Sequence, residues 1–168
     1  MAEPEVWLRG PLAGYHPTVM PVAHSLLQVR EDLTRLERTV TPDQLWARPG
    51  GAASIGFHIR HTGGALDRLL TYARGETLGP PQLLFLAGEE APGEPPVGLS
   101  TLVIGLNAVI DRSLAQLRAI DPDRLHDARE VGRGRLPSTV LGLLVHAAEH
   151  STRHMGQAIT TARILAGR

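Results

Sequence analysis

Cysteine is absent from the 168 residues. That excludes a disulfide framework, a thiolate metal site and a cysteine nucleophile, so any transition-metal site must use His, Asp, Glu or water. An excess of charge is absent too. Lys+Arg and Asp+Glu both number 17, and the positive charge is carried by arginine. A neutral balance argues against a nucleic-acid partner, which usually selects a basic surface. Aromatic residues make up only 4%, which leaves few platforms for base stacking. No apolar run approaches the roughly 20 residues that span a bilayer, so no membrane association is expected. The opening stretch MAEPEVWLRGPLAGYHP has early acids and prolines and no apolar signal core. A cytoplasmic location is the expectation.

What is present is helical periodicity. Pro21 opens a segment whose apolar stripe reads Val22, Leu26, Val29, Leu33, Leu36 and Val40, the spacing of one helix face. Thr41-Pro42-Asp43 stops it and starts a short turn. A second long segment carries Ile55, Ile59, Leu66, Leu69 and Ala73 on one stripe, with Ser54 as its cap and Gly75 as its stop. Gly63-Gly64 in its interior costs roughly 1 kcal/mol per glycine against alanine. Such a cost implies close approach of another backbone, or room for a ligand. Residues 76–98 hold five of the 13 prolines and read as a long crossover with one short helix at 81–89. The third long helix begins at Ser100 as N-cap and carries Leu102, Leu106, Val109, Ile110, Leu114 and Leu117. The fourth begins at Ser138.

TPDQL (41–45) and DPDRL (121–125) follow the first and third long helices, an internal echo consistent with two related hairpins. No convincing strand is visible. The fold expected is all-α, a four-helix bundle with a long crossover between the second and third long helices. Residues 1–17 form an N-terminal arm docked by Trp7, Leu8, Leu12 and Tyr15, and residues 18–168 form a single domain.

The chemistry-bearing feature is HAAEHSTRHMGQ at 146–157, which spaces His146, His150 and His154 four apart. Successive members lie about 6 Å apart along the axis and the outer pair about 12 Å. At most two can hold one ion, and a third ligand must come from another helix. FHIRH supplies His58 and His61, which the stripe analysis does not separate. His24 and His16 are weaker candidates. A three-histidine site with open water positions suits Zn²⁺, Ni²⁺ or Fe²⁺.

These residues carry a family resemblance. HSTRHMGQ resembles the HxxxHxGQ signature on the last helix of the DinB/YfiT-like superfamily. GAASIGFHIRHTGGALDRLLTYARGE is similar to the helix-two region of one branch. The resemblance spans most of residues 20–165 and is most specific in the pairing of FHIRH with HxxxHxGQ. It implies metal ligation by His150 and His154, with His61 as the helix-two ligand. His58 and His146 are the alternates. It also implies a divalent metal and often a homodimer. Some relatives are thiol S-transferases using bacillithiol or mycothiol, and others look like hydrolases.

Glu149 and Arg153 are the candidate catalytic groups, the first as general base and the second as partner of a substrate anion. Arg60 and Gln157 are candidates for cofactor binding. The expected function is that of a metal-dependent enzyme on a small-molecule substrate, a thiol S-transferase or a hydrolase. The alternative is a non-catalytic metal-binding bundle of the stress response.

Overall fold

The structure, a computed structural model, describes residues 3–167, so residues 1–2 of the expected arm and residue 168 of the expected domain lie outside it. Four long helices dominate: α1 (Met20–Glu37), α3 (Ile55–Ala73), α5 (Leu99–Arg118) and α6 (Val140–Leu165). Two short ones are α2 (Pro42–Leu45) and α4 (Pro80–Ala87). α1 and α3 each pack against both α5 and α6. The two helices joined by the first connection therefore stand on a diagonal, and the crossover from α3 to α5 joins neighbours.

Local sequence explains most boundaries. Ser54 caps α3 by accepting from the Phe57 N–H at 3.1 Å, which satisfies one of the donors a helix start leaves free. Pro42 opens α2 behind Thr41, whose N–H donates to Gln44 Oε1 at 3.0 Å. The expected caps at Ser100 and Ser138 fall elsewhere. α5 starts behind Gly98, and α6 is capped by Thr139, whose side chain accepts from Gly142 N. Neighbouring serine and threonine compete for such a role, and backbone approach geometry selects one. The echo at 41–45 and 121–125 is structurally real in a limited sense. Each motif forms a short helical turn at a Pro and delivers a buried leucine, Leu45 or Leu125.

Two expectations are corrected. A small antiparallel sheet exists: β1 (Ala128–Val131) pairs with β2 (Leu136–Thr139), with Ala128 opposite Thr139 and Val131 opposite Leu136. Its turn uses Gly132 at φ 68° and Arg135 at φ 47°. Neither four-residue strand alternates clearly in polarity, so no period-two signal announces them. The N-terminal arm is held only in part as expected: Tyr15 is buried and Leu12 packs against the core, but Trp7 and Leu8 are 62% and 57% exposed, and Val6 is the further buried anchor. Polar contacts fix it: Val6 N donates to Gln28 Oε1, Arg9 pairs with Glu31, and His24 Nε2 meets the Gly10 carbonyl at 3.1 Å.

The core runs the length of the bundle, through Leu26 and Leu33 of α1, Ile55, Ile59 and Leu66 of α3, Ile110 and Leu117 of α5, and Leu144 and Met155 of α6. Beside it α6 shows small residues, Ala147, Ser151 and Ala158, all buried. The glycine pair on α3 splits in meaning. A Cβ on Gly64 would meet Glu89 Oε1, Phe85 Cε1 at 2.7 Å and the Arg68 guanidinium at 2.8 Å. A Cβ on Gly63 would meet only ordinary contacts, 3.7 Å or more, from Leu106 and Val109.

The two sites therefore respond oppositely to alanine. Gly64→Ala should destabilise by about 1–3 kcal/mol through overpacking. Gly63→Ala should be neutral or stabilise by up to about 1 kcal/mol, the helix-propensity difference. Urea denaturation of the two variants checks both signs.

Candidate metal centre

The histidine stripe of α6 lies one step around the helix from its buried stripe of Ala147, Ser151 and Met155. That offset puts His150 and His154 at the margin of the core, half-buried, and leaves His146 exposed. Across the seam, α3 presents His58, which is buried, and His61, which is half-buried. One ring nitrogen from each of His61, His150 and His154 lies within 4.8 Å of the other two. His61 Nε2 and His150 Nε2 are 2.9 Å apart, and His58 Nδ1 is 3.1 Å from His154 Nδ1. Two nitrogens on one tetrahedral zinc sit about 3.3 Å apart, given Zn–N bonds of about 2.0–2.1 Å. The His61–His150 separation is close to that spacing, and the three nitrogens together lie near enough that they could hold one ion.

His61 is oriented from behind. Its Nδ1–H donates to Glu89 Oε2 at 2.7 Å, and the other oxygen, Oε1, accepts from Arg68 at 2.5 Å. Glu89 and Arg68 are both buried. Burial is the largest influence on the Glu89 carboxyl and pushes its pKa up. The hydrogen bonds from His61 and Arg68 together outweigh it, and the net shift is downward. The carboxylate therefore stays charged and fixes the His61 tautomer, with a lone pair on Nε2. This is the carboxylate–histidine arrangement that typically supports a metal ligand.

The rest of the network follows from donors and acceptors. Arg153 donates to His150 Nδ1 at 2.8 Å. A guanidinium only donates, so His150 carries its proton on Nε2 and donates it to His61 Nε2. Phe57 stacks on His61, with ring centroids 5.1 Å apart and planes at 16°, and closes one side. Beyond Phe57 lies a small cleft of about 200 Å³ that also touches Trp46, Arg48, Ser54 and Glu90.

Desolvation is the first cause of depressed basicity in three of these rings. It lowers His58, with a contribution from His61. It takes His150 down to about 4, with further lowering by His61, Arg153 and His146 against an opposing effect of Glu149. It takes His154 down to about 3, helped by His61, His150, His58 and Arg153. At neutral pH these imidazoles are neutral, the form that binds metal.

The other expected site residues are placed as follows. Glu149 is exposed and lies 3.4 Å from both His146 Nδ1 and Arg153 Nε. Gln157 is exposed one turn beyond His154. Arg60 turns away from the histidines: it donates to the carbonyls of Gly88 and Ala91, and its guanidinium lies 4.8 Å above the Trp46 ring. His146 stands outside the three-nitrogen cluster. His24 ties down the arm and His16 Nδ1 accepts from Thr18 N, both local structural contacts. Sequence reasoning missed Glu89, Arg68 and Phe57. Glu89 sits in a proline-rich connection among other acids, and its only sequence-level trace is the glycine at position 64 that makes room for it.

A four-helix bundle with a histidine cluster that could hold a metal ion between two of its helices defines the class. The model of the DinB superfamily matches residues 25–158, and the chain belongs to that superfamily. Among solved structures, it is similar to a protein from Enterococcus faecalis described as the conserved protein of a locus. The TM-score is 0.63 and the identity 20%, over 88% of this chain and 96% of that one. At that identity the likeness speaks to the fold. No curated protein matches the chain. No helix among the described residues is long and apolar enough to cross a membrane.

The lowered histidine pKa values have a consequence for stability. An unfolded chain binds protons at these rings below about pH 6.5, where the folded chain does not. Metal-free protein should therefore lose stability as pH falls from 6.5 toward 4. His154→Gln should flatten that slope. Thermal melts across pH 4–7.5 test it, and an unchanged slope in the variant would refute the cause.

Proposed function

We propose that this chain is a divalent-metal-dependent enzyme acting on a small molecule, with His61, His150 and His154 as the protein ligands. The observation that carries the reading is the three-nitrogen cluster with His61 held by the buried Glu89. Three protein donors leave coordination positions open, the pattern of catalytic sites, whereas structural zinc sites are closed by four. An all-imidazole donor set suits Zn, Ni or Fe.

A bound ion of this kind lowers the pKa of a coordinated water or thiol and so supplies a nucleophile at neutral pH. The absence of cysteine means the nucleophile comes from outside the chain. A low-molecular-weight thiol of the bacillithiol or mycothiol type makes the reaction an S-transfer, and water makes it a hydrolysis. The family resemblance admits both nucleophiles and extends the reading to a homodimer.

The chain's own residues divide the remaining work. Glu89 holds His61 in its ligating tautomer. Phe57 shields one face of His61 and borders the small cleft, which offers a path for substrate. If His150 held an ion through Nε2, its proton would sit on Nδ1 and it would no longer accept from Arg153, whose guanidinium would then pair with an anionic substrate group. Glu149, beside Arg153 and open to solvent, would carry a proton away in this reading.

Metal analysis by mass spectrometry on untagged protein tests the reading. Near-stoichiometric Zn, Ni or Fe is expected, with loss in His61→Ala, His150→Ala and His154→Ala and retention in His146→Ala. A wild type that stays metal-free after loading would leave the histidines as packing residues and remove the enzyme reading.

The supporting residues should separate in metal affinity. Glu89→Gln should weaken binding about 10–100-fold, as loss of an orienting carboxylate does. Arg153→Met should bind at least as tightly as wild type, because it removes a donor that competes for His150. Competition titration with a chromogenic chelator reads both.

A further inference from the structure

On the face of α3 turned away from the histidines lies a cleft of about 600 Å³. It is walled by α3 through Ile59, Gly63 and Asp67 and by α5 through Thr101, Gly105 and Val109, and α4 roofs it. No histidine lines it. Its volume falls within the range of small-molecule sites, about 300–1,000 Å³.

Two helix-interior glycines border this space without a packing reason to be glycine. A Cβ on Gly63 meets only ordinary contacts, and a Cβ on Gly105 meets nothing within 4 Å. Each sacrifices helix propensity against alanine. What both glycines provide is the open volume itself.

The roof presents apolar side chains to the cleft. α4, PPQLLFLA, has no buried residue. Leu84 and Phe85, which line the cleft, are 76% and 46% exposed. An apolar body beneath α4 would take part of that surface out of water, which is favourable.

The rim sets the charge. Arg60, Arg68 and Arg112 border the cleft with one acid, Asp67. Arg68 is matched by Glu89. Asp67 is engaged by Gln82, which donates to its Oδ2 at 2.6 Å, and Arg112 comes no closer to its Oδ1 than 3.8 Å. Arg60 is occupied by carbonyl oxygens and an indole face, with no acid partner. Three guanidinium groups against two carboxylates leave one positive charge in excess, and Arg112, exposed and 3.8 Å from Asp67, is the weakly held donor at the mouth.

We propose that this cleft is a binding site for an amphipathic monoanion, a straight apolar chain ending in one carboxylate. The chain lies under α4 along Gly63 and Gly105, and the carboxylate meets Arg112. The site is separate from the histidine centre and does not depend on metal there.

The test uses the full chain and decanoate as probe, followed by isothermal titration and by amide shifts in ¹⁵N-labelled protein. The expected result is saturable one-to-one binding, with the largest shifts at Gly63, Gly105 and the α4 amides. Decanol should bind at least about tenfold more weakly, and Arg112→Gln should lose decanoate affinity by about the same factor. Gly105→Leu should abolish saturable binding, because its side chain occupies the cleft. Addition of EDTA should leave the decanoate affinity unchanged.

Absence of saturable binding at millimolar decanoate would overturn the proposal. So would equal affinity for decanol, or wild-type binding by Gly105→Leu, which would place the probe on the outer surface of α4. If circular dichroism shows that Gly105→Leu does not fold, the decanol comparison and the exposed Arg112→Gln variant still decide the matter.

Discussion

The carboxylate of Glu89 is the constraint on which this molecule's site depends. It comes from the crossover after α4, crosses over the bare Cα of Gly64, and is clamped between Arg68 and His61. A buried charge is tolerated only when it is matched and hydrogen-bonded. Here both oxygens are engaged, one by a guanidinium and one by an imidazole. The same contact therefore does two things. It pins a connection that would otherwise be a long polar loop, and it sets the tautomer of the histidine facing α6.

Around that contact the bundle sorts its two faces of α3. One face carries His58 and His61 toward α6, where small buried residues on α6 let the helices approach and leave the histidines at the edge of the core. The opposite face carries Gly63 and Asp67 toward α5 and α4, where the packing is loose and a cleft opens. Arg68 and Glu89 stand between the two, so the element that roofs the cleft is also the element that orients a metal-ligand candidate. Removing Glu89 would leave Arg68 buried without its partner, which is costly beyond the loss of orientation.

The histidine cluster is built for neutral imidazoles. Neighbouring rings, a partly buried setting and the Arg153 guanidinium all disfavour protonation at His150 and His154. In the absence of metal the rings satisfy one another by donating N–H to lone pair, a chain that Glu89 terminates at one end and Arg153 at the other. The inward lone pair is that of His61 Nε2, whereas His150 would have to move its proton from Nε2 to Nδ1 before it could hold a cation through Nε2.

Much of this was legible in the sequence. Helical periodicity placed the four long helices, and the buried stripes of α1, α3 and α5 fall largely on the residues with that spacing, because burial on a helix has the period of the helix itself. The HxxxHxGQ stretch and FHIRH located the histidine cluster, since spacing along one helix is fixed by local geometry. The strands at 128–131 and 136–139 were not legible, because their four-residue pairing arises from a turn and not from alternation. Whether His58 or His61 faces His150 was left open by the stripe, since both lie within one turn of α3. The tertiary structure decided it by bringing His61 Nε2 to 2.9 Å from His150 Nε2. It alone supplied Glu89 and Arg68, and turned Arg60 from the histidines to the crossover, because contacts between residues more than 20 positions apart carry no periodic signature.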